Sequence, residues 1–151
     1  MPIHISIVDV SPRPIAAVRV TTVLSKWPSQ FRHALDKVYD AVKAGRVRQT
    51  GQNVMVYRPR DNRLVDIECG VETDARFEPV GEVVYSETPS GLAVTTAHMG
   101  PYEQLGMSHN AVAEWSRQNG YRITGTCWEI YGDWSDDPAK LRTDIFHLAR
   151  R

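Results

Sequence analysis

The fold is constrained most by an order of sequence patterns that occurs twice in the 151 residues. In each half, a segment of alternating apolar and polar residues is followed by a helical pattern and then by two more alternating segments. Alternation with period two is typical of a strand with one buried face, and apolar residues three and four apart are typical of a helix. The sequence therefore predicts a duplicated strand-helix-strand-strand module, with an additional strand leading each half.

The first half consists of a leading strand and one module. The predicted segments are a leading strand at 3–10, a strand at 15–21, a helix at 27–45 and strands at 53–59 and 64–71. Pro28 suits the first helical turn, where its missing N–H costs little, and Gly45 suits the helix end. One complete module therefore fits within about 75 residues.

The second half repeats this order from about residue 80. The predicted segments are a short strand within 81–91, a strand at 92–99, a helix at 100–120 and strands at 126–134 and 143–149. The first-half segment VDIECGV is echoed by TDIFHLA, and Tyr57 is echoed by Tyr131, which places Met55 opposite Glu129. We therefore expect one domain over 1–151, built from pseudo-repeats at about 1–75 and 80–151.

This order indicates an α+β fold, in which helices lie on one side of antiparallel sheets. Two similar halves are expected to pair about a pseudo-twofold axis, with a central groove at their junction. Grooves of this kind are common sites for small molecules.

Charge and composition exclude several classes of protein. Lys and Arg together number 18, as do Asp and Glu, so the basic footprint of a nucleic-acid binder is missing and we expect no direct nucleic acid binding. No apolar run approaches the roughly 18 residues of a membrane span, and the amino terminus does not resemble a signal peptide. We expect Cys69 and Cys127 to be reduced and buried, and the sequence predicts a cytoplasmic protein. The sequence leaves the oligomeric state open, and a homodimer is among the alternatives.

Motifs for cofactors or metals are missing from the sequence. It contains no glycine-rich phosphate loop, HExxH motif, paired CxxC motif or nucleophile elbow. The five histidines are scattered along the chain, so a metal centre would require three of them to converge on folding. We therefore predict neither a cofactor nor a metal site.

Glu129 is the most unusual residue, because it interrupts the apolar, aromatic run TCWEIYGDW. Alternation places Cys127, Glu129 and Tyr131 on one face of the strand. Trp128 and Ile130 lie on the other face, and we expect this pair to pack beneath the helices. A buried carboxylate needs a compensating partner. Glu129 is therefore a hydrogen-bonded structural carboxylate, a cation anchor in an aromatic cavity, or a general acid/base with a pKa raised by burial.

Two segments resemble a known family. ETPSGLAVTTAHMGPYEQL (87–105) and WEIYGDW with LRTDIFHLA (within 128–149) are similar to the GyrI-like small-molecule-binding domain, which also forms the effector-binding half of some AraC-type and MerR-type regulators. The resemblance implies a tandem SHS2-like α+β module whose groove binds hydrophobic, often cationic ligands, with a glutamate at the position of Glu129. No helix-turn-helix precedes the first strand, so we expect a stand-alone member without direct transcriptional control.

The resemblance and the alternation together nominate a set of ligand-binding residues. The candidates are Glu129, Tyr131, Tyr102, His98, Tyr57, Met55 and Trp27. Packing alone is an alternative for Tyr102, His98 and Met55, and Trp27 is equally suited to holding the first helix on its sheet.

Three functions remain open from the sequence. The first is a protein that senses or sequesters hydrophobic, cationic compounds, with Glu129 as the polar anchor. The second is a cofactor-free hydrolase that opens strained cyclopropane rings, with Glu129 as the catalytic acid/base. The third is a protein-interaction module similar to gyrase inhibitors.

Overall fold

The computed structural model describes residues 3–151 and has the expected α+β architecture. In chain order the elements are β1 (Ile5–Val10), β2 (Pro14–Val23), α1 (Phe31–Lys43), β3 (Asn53–Pro59), β4 (Leu64–Glu72), β5 (Val83–Glu87), β6 (Gly91–Met99), α2 (Leu105–Gln118), β7 (Arg122–Tyr131) and β8 (Arg142–Arg150). Every strand and helix predicted from the sequence is present. Trp27 and Pro28 lie in a 3₁₀ turn before α1, and β7 begins four residues earlier than predicted.

The chain forms two compact units. The first unit comprises residues 12–88, and the second comprises the flanking segments, of which residues 3–11 and 89–151 are described. Within these described residues, each unit contains a four-stranded antiparallel sheet and one α-helix.

The first unit has the strand order β3-β4-β2-β5. The buried side of α1, formed by Ala34, Val38 and Ala41, packs against β2 and β4. The two strands approach closely at Gly70, where a Cβ atom would lie 1.7 Å from the carbonyl oxygen of Ala16. Glycine is therefore required there for this sheet to form.

The second unit has the strand order β1-β6-β8-β7. Its core includes Val94 from β6, Val112 from α2 and Ala149 from β8, with Ile5 and Ile7 of β1 packed against them. These residues are apolar at the spacings that predicted the strands and the helix. The same packing fixes which side of α2 faces the sheet.

The two units repeat one topology. Counted from β5 in the first unit and from β1 in the second, the order β5-β2-β4-β3 corresponds to the order β1-β6-β8-β7. The strand that leads each sequence half pairs with the module of the other half, since β1 pairs with β6 and β5 pairs with β2. The compact units are therefore not the same as the sequence repeats at about 1–75 and 80–151.

The residue pairing in the β3–β4 and β7–β8 hairpins shows that two equivalences suggested by the sequence do not agree with each other. One equates Tyr57 with Tyr131, and the other equates VDIECGV with TDIFHLA. Tyr57 pairs with Ile67, whereas Tyr131 pairs with Thr143. If VDIECGV is equivalent to TDIFHLA, then Ile67 corresponds to Ile145, whose partner across the ladder is Glu129. The two matches are thus two residues out of register with each other, and on the ladder it is Tyr57 rather than Met55 that corresponds to Glu129.

Neither α1 nor α2 has the length and apolar character needed to cross a membrane, and no other helix within residues 3–151 does.

Candidate functional site

Glu129 lies on the side of the second unit's sheet that α2 covers, because His109 of α2 reaches its carboxylate. Trp128 lies on the opposite side, stacked on Phe146 with ring centroids 5.2 Å apart. The prediction that Trp128 and Ile130 pack beneath the helices is therefore wrong. Trp128 and Glu129 are 2% and 4% exposed, so this part of β7 is buried on both faces. Side-chain size alone does not reveal which face of such a strand a helix covers.

The Glu129 carboxylate is hydrogen-bonded through both oxygens. Oε1 accepts a hydrogen bond from the Tyr131 hydroxyl at 2.5 Å, and Oε2 lies 2.7 Å from Nε2 of His109. A carboxylate can only accept, so Nε2 of His109 carries the proton in this pair. The tautomer of His109 is thereby fixed, and its Nδ1 faces away from the carboxylate.

A second histidine continues the network. Nδ1 of His109 lies 2.8 Å from Nε2 of His147 in β8. When His109 is neutral its Nδ1 accepts, so Nε2–H of His147 donates. Burial, followed by the neighbouring charge of His109, lowers the pKa of His147 to about 4, with Glu129 opposing this shift. His147 is therefore neutral at pH 7, and within residues 3–151 its buried Nδ1 has no hydrogen-bond partner.

Cys127 completes a cluster with the two histidines. It lies directly opposite His147 in the β7–β8 ladder, so both side chains point to the same side of the sheet. One potential ligand atom each of His109, Cys127 and His147 lies within 4.8 Å of the others. Burial, with a contribution from the charge of Glu129, raises the pKa of the Cys127 thiol to about 12.

His109 and His147 were not among the residues nominated from the sequence. His109 follows Leu105 by four positions and precedes Val112 by three, which places it on the apolar side of α2. His147 follows Ile145 by two positions and shares its strand face. Each sequence pattern shows which side of its own helix or strand the histidine lies on. Neither pattern shows that the two histidines meet, because that depends on how α2 packs on the sheet.

Two tyrosines connect Glu129 to the surface. The Tyr131 and Tyr102 rings meet edge to face, with centroids 5.7 Å apart. Tyr102 is 36% exposed and lies in the 3₁₀ turn that follows Pro101 and leads into α2. Of the seven nominated residues, the structure thus brings together Glu129, Tyr131 and Tyr102.

His98 is buried and bonded through both ring nitrogens. Nδ1 lies 2.7 Å from the Ser108 hydroxyl, and Nε2 donates to the carbonyl of Pro101 at 3.0 Å. These bonds fix the turn between β6 and α2. His98 also lines a cavity of about 1050 Å³ bordered by β1, β6 and the start of α2.

The three remaining nominated residues belong to the first unit. The Tyr57 hydroxyl lies 3.4 Å from the sulfur of Met55, on the side of the sheet that faces α1. Trp27 is buried and packs against Phe31 at the start of α1, with ring centroids 6.4 Å apart. This packing suits the alternative in which Trp27 holds α1 on its sheet.

The first unit also contains a buried glutamate, which contrasts with Glu129. Glu68 is 5% exposed and forms ion pairs with Arg19 at 3.1 Å and with Arg58. Permanently charged guanidinium groups compensate its charge, whereas Glu129 is hydrogen-bonded to a phenol and an imidazole. Two buried glutamates in one chain therefore have different electrostatic environments.

Comparison with solved structures identifies the fold. The chain is similar to the EcmrR C-terminal domain, with a TM-score of 0.79 and 18% identity over 100% of this chain and 99% of that one. It is also similar to SAV2435 bound to tetraphenylphosphonium, with a TM-score of 0.71 and 11% identity over 97% and 94% of the two chains. A hydrolase from Listeria innocua matches with a TM-score of 0.59 and 12% identity over 97% and 91%.

The family is shown by a match to the sequence itself. No curated protein matches the chain significantly. The model of the GyrI-like small molecule binding domain, however, matches residues 4–147, almost the whole chain. The chain belongs to the GyrI-like small molecule binding domain family.

Proposed function

We propose that this protein binds hydrophobic, cationic small molecules and that Glu129 is the anchor for their positive charge. The observation that carries the proposal is the Glu129 carboxylate itself, which is 4% exposed, is bonded to Tyr131 and His109, and lies next to an aromatic pair. Its role would be to sense or sequester such compounds in the cytoplasm.

The electrostatics favour cations that carry little hydration. At an effective dielectric constant of about 20, unit charges about 8 Å apart attract by about 2 kcal/mol. A tyrosine face adds roughly 0.5–2 kcal/mol when the cation is close. A compact, strongly hydrated ion would lose much of this gain in desolvation, whereas a cation enclosed by aryl groups would not.

In this proposal the ligand approaches Glu129 past Tyr102. The carboxylate is covered by α2, and Tyr102 is the partly exposed ring in contact with Tyr131. In this proposal the Tyr102 ring moves away from Tyr131 to admit an aryl group. An incoming aromatic ring can take over the same edge-to-face contact, which limits the cost of that movement.

The family and one structural neighbour support this class of ligand. The family is defined by small-molecule binding, and SAV2435 is bound to tetraphenylphosphonium, a lipophilic cation. We extend this ligand class to the present chain because its buried carboxylate and tyrosine pair have the chemistry that such a cation requires.

Isothermal titration calorimetry with a matched pair of ligands tests the proposal. Tetraphenylphosphonium is the cation and triphenylphosphine oxide the neutral aryl comparison. The substitution Glu129→Gln keeps the shape of the side chain and removes its charge. Since about 2 kcal/mol is roughly a 30-fold change in affinity, we expect cation binding to weaken by about 10- to 100-fold and neutral binding by less than about 3-fold.

Glu68→Gln is the control. It removes a buried charge from the first unit, so it reports the effect of losing any buried glutamate. We expect it to leave the affinity for tetraphenylphosphonium within about 3-fold of wild type. Equal losses for both ligands in Glu129→Gln, or equal losses of cation binding in the two variants, would refute the anchor role.

A hydrolase is the second candidate, favoured by the hydrogen-bonded series Tyr131–Glu129–His109–His147. Such a series can hold and move a proton. Protonated Glu129 would donate to the leaving atom of a strained ring as water adds to the electrophilic carbon, and the proton lost by that water would restore the acid. Multiple turnovers of a cyclopropane-bearing electrophile, detected by mass spectrometry and abolished by Glu129→Gln, would establish this reaction. Stoichiometric binding without product would exclude it.

A further inference from the structure

The cluster of His109, Cys127 and His147 is not needed for cation binding and has its own chemistry. Its three members come from α2, β7 and β8, so folding alone brings their ligand atoms to within 4.8 Å of one another. Imidazole nitrogen and thiolate sulfur are the donors that zinc prefers in proteins.

The orientation of His109 is that of a metal ligand. Its Nε2–H donates to the Glu129 carboxylate at 2.7 Å, which leaves Nδ1 directed at His147. A histidine that ligates a metal typically donates its other ring N–H to a carboxylate in this way, which fixes the tautomer and makes the ligating nitrogen more basic. Tyr131 in turn donates to the second carboxylate oxygen at 2.5 Å and so helps to hold Glu129 in place.

The position of Cys127 depends on an irregularity in β7. The β7–β8 register shifts between Ile123 and Cys127, where Gly125 has a φ of 99°. Irregularities of this kind redirect the side chains that follow them. After the shift, Cys127 lies opposite His147 on the side of the sheet that α2 covers.

We propose that His109 Nδ1, Cys127 Sγ and His147 Nε2 bind a zinc ion. The two nitrogens are 2.8 Å apart, and Zn–N bonds of about 2.0–2.1 Å in tetrahedral geometry require about 3.3 Å, so the rings must separate by about 0.5 Å. The Nε2 proton of His147 is the one that the two rings share. The ion takes its place, and that proton moves to Nδ1 of His147. The Cys127 thiol loses one proton to solvent for each ion bound.

The charges at such a site balance. The thiolate of Cys127 and the carboxylate of Glu129 together offset the two positive charges of the ion. Three protein ligands leave the fourth tetrahedral position for water or an added donor, as in zinc sites that interact with small molecules. This site goes beyond the proposed cation binding and does not depend on it.

Cobalt(II) is the probe for this site, because a cobalt–thiolate bond absorbs in the near ultraviolet and tetrahedral cobalt absorbs in the visible. The protein is used without a histidine tag and is first treated with a chelator. We expect both absorptions to saturate at one cobalt ion per chain and to disappear on addition of one equivalent of zinc. Wild type that shows no saturable cobalt–thiolate absorption would overturn the proposal.

Cys69 and His33 provide matched control substitutions. Cys127 and Cys69 are both free cysteines, and burial raises the pKa of each thiol to about 12. Cys127→Ser should abolish the cobalt–thiolate absorption, whereas Cys69→Ser should retain it. His147→Gln should weaken zinc binding at least 10-fold, and the exposed His33→Gln should leave it unchanged.

Glu129→Gln provides a test of the orienting carboxylate. We expect it to weaken zinc binding by about 10- to 100-fold while the 1:1 stoichiometry is kept. Zinc should also slow the alkylation of Cys127 in the wild-type protein, as measured by mass spectrometry, and leave that of Cys69 unchanged. This comparison tests the site without any substitution, in case Cys127→Ser fails to fold. Equal protection of both cysteines, or cobalt absorption retained in folded Cys127→Ser, would refute the proposal.

Discussion

His147 is expected to make the folded protein sensitive to acid. The ordinary pKa of its imidazole is 6.5, and in the folded protein burial lowers it to about 4. Between these two pH values the unfolded chain takes up a proton that the folded chain does not, so the free energy of unfolding falls as the pH is lowered. Above pH 6.5 the residue is neutral in both states and makes no difference.

The size of the effect follows from the two pKa values. Each pKa unit corresponds to about 1.36 kcal/mol, so the interval from 6.5 to about 4 amounts to a loss of about 3 kcal/mol at pH 4. The titratable groups that face His147 are His109 from α2 and Glu129 from β7, and the Cys127 thiol lies opposite it. They remain in place when His147 alone is replaced, so comparison with a variant isolates its contribution.

Urea unfolding followed by tryptophan fluorescence measures this contribution. Wild type, His147→Gln and the exposed control His33→Gln are compared at pH 7 and pH 4 in the presence of a chelator, so that no metal contributes. We expect wild type and His33→Gln to lose about 3 kcal/mol more on acidification than His147→Gln does. Equal losses in all three proteins would show that His147 is not held neutral by burial.

Three further predictions concern packing and are measured by urea unfolding. Gly70→Ala should cost more than about 3 kcal/mol, because the added Cβ meets the backbone carbonyl of Ala16 at 1.7 Å and β2 must move. Gly106→Ala is the matched comparison, since its added Cβ meets nothing within 4 Å in α2, and it should stabilise by about 0.5–1 kcal/mol. Val112→Ala should cost about 1–3 kcal/mol, because Val112 is fully buried against Val94 and Ala149. A tolerated Gly70→Ala, a destabilising Gly106→Ala or a neutral Val112→Ala would each contradict the packing described.

Much of the fold is predictable because the signals for its elements are local. Alternation and helical spacing identify β1 to β8 and both helices, and the repeated order identifies the duplicated module. The exchange of the leading strands is not predictable in this way. A local pattern specifies that β1 and β5 are strands, but their partners depend on contacts between distant parts of the chain.

The candidate site was only partly predictable for a similar reason. Glu129 is conspicuous in the sequence because a carboxylate in an apolar strand needs compensation. The side of β7 that α2 covers is not predictable from side-chain size, because Trp128 on the other face is buried as well. His109 and His147 become significant only when α2 is docked on the sheet, which brings their ring nitrogens to 2.8 Å.

The central claim is that Glu129 anchors the charge of a lipophilic cation, and a crystal structure of the complex with tetraphenylphosphonium tests it most directly. The measured quantity is the distance from the phosphorus atom to the nearest Glu129 oxygen. The account predicts at most about 8 Å, a distance at which the attraction is still about 2 kcal/mol, with an aryl group against Tyr131 or Tyr102. A cation bound only in the cavity bordered by β1 and β6, with Glu129 still bonded to His109 and Tyr131, would contradict it.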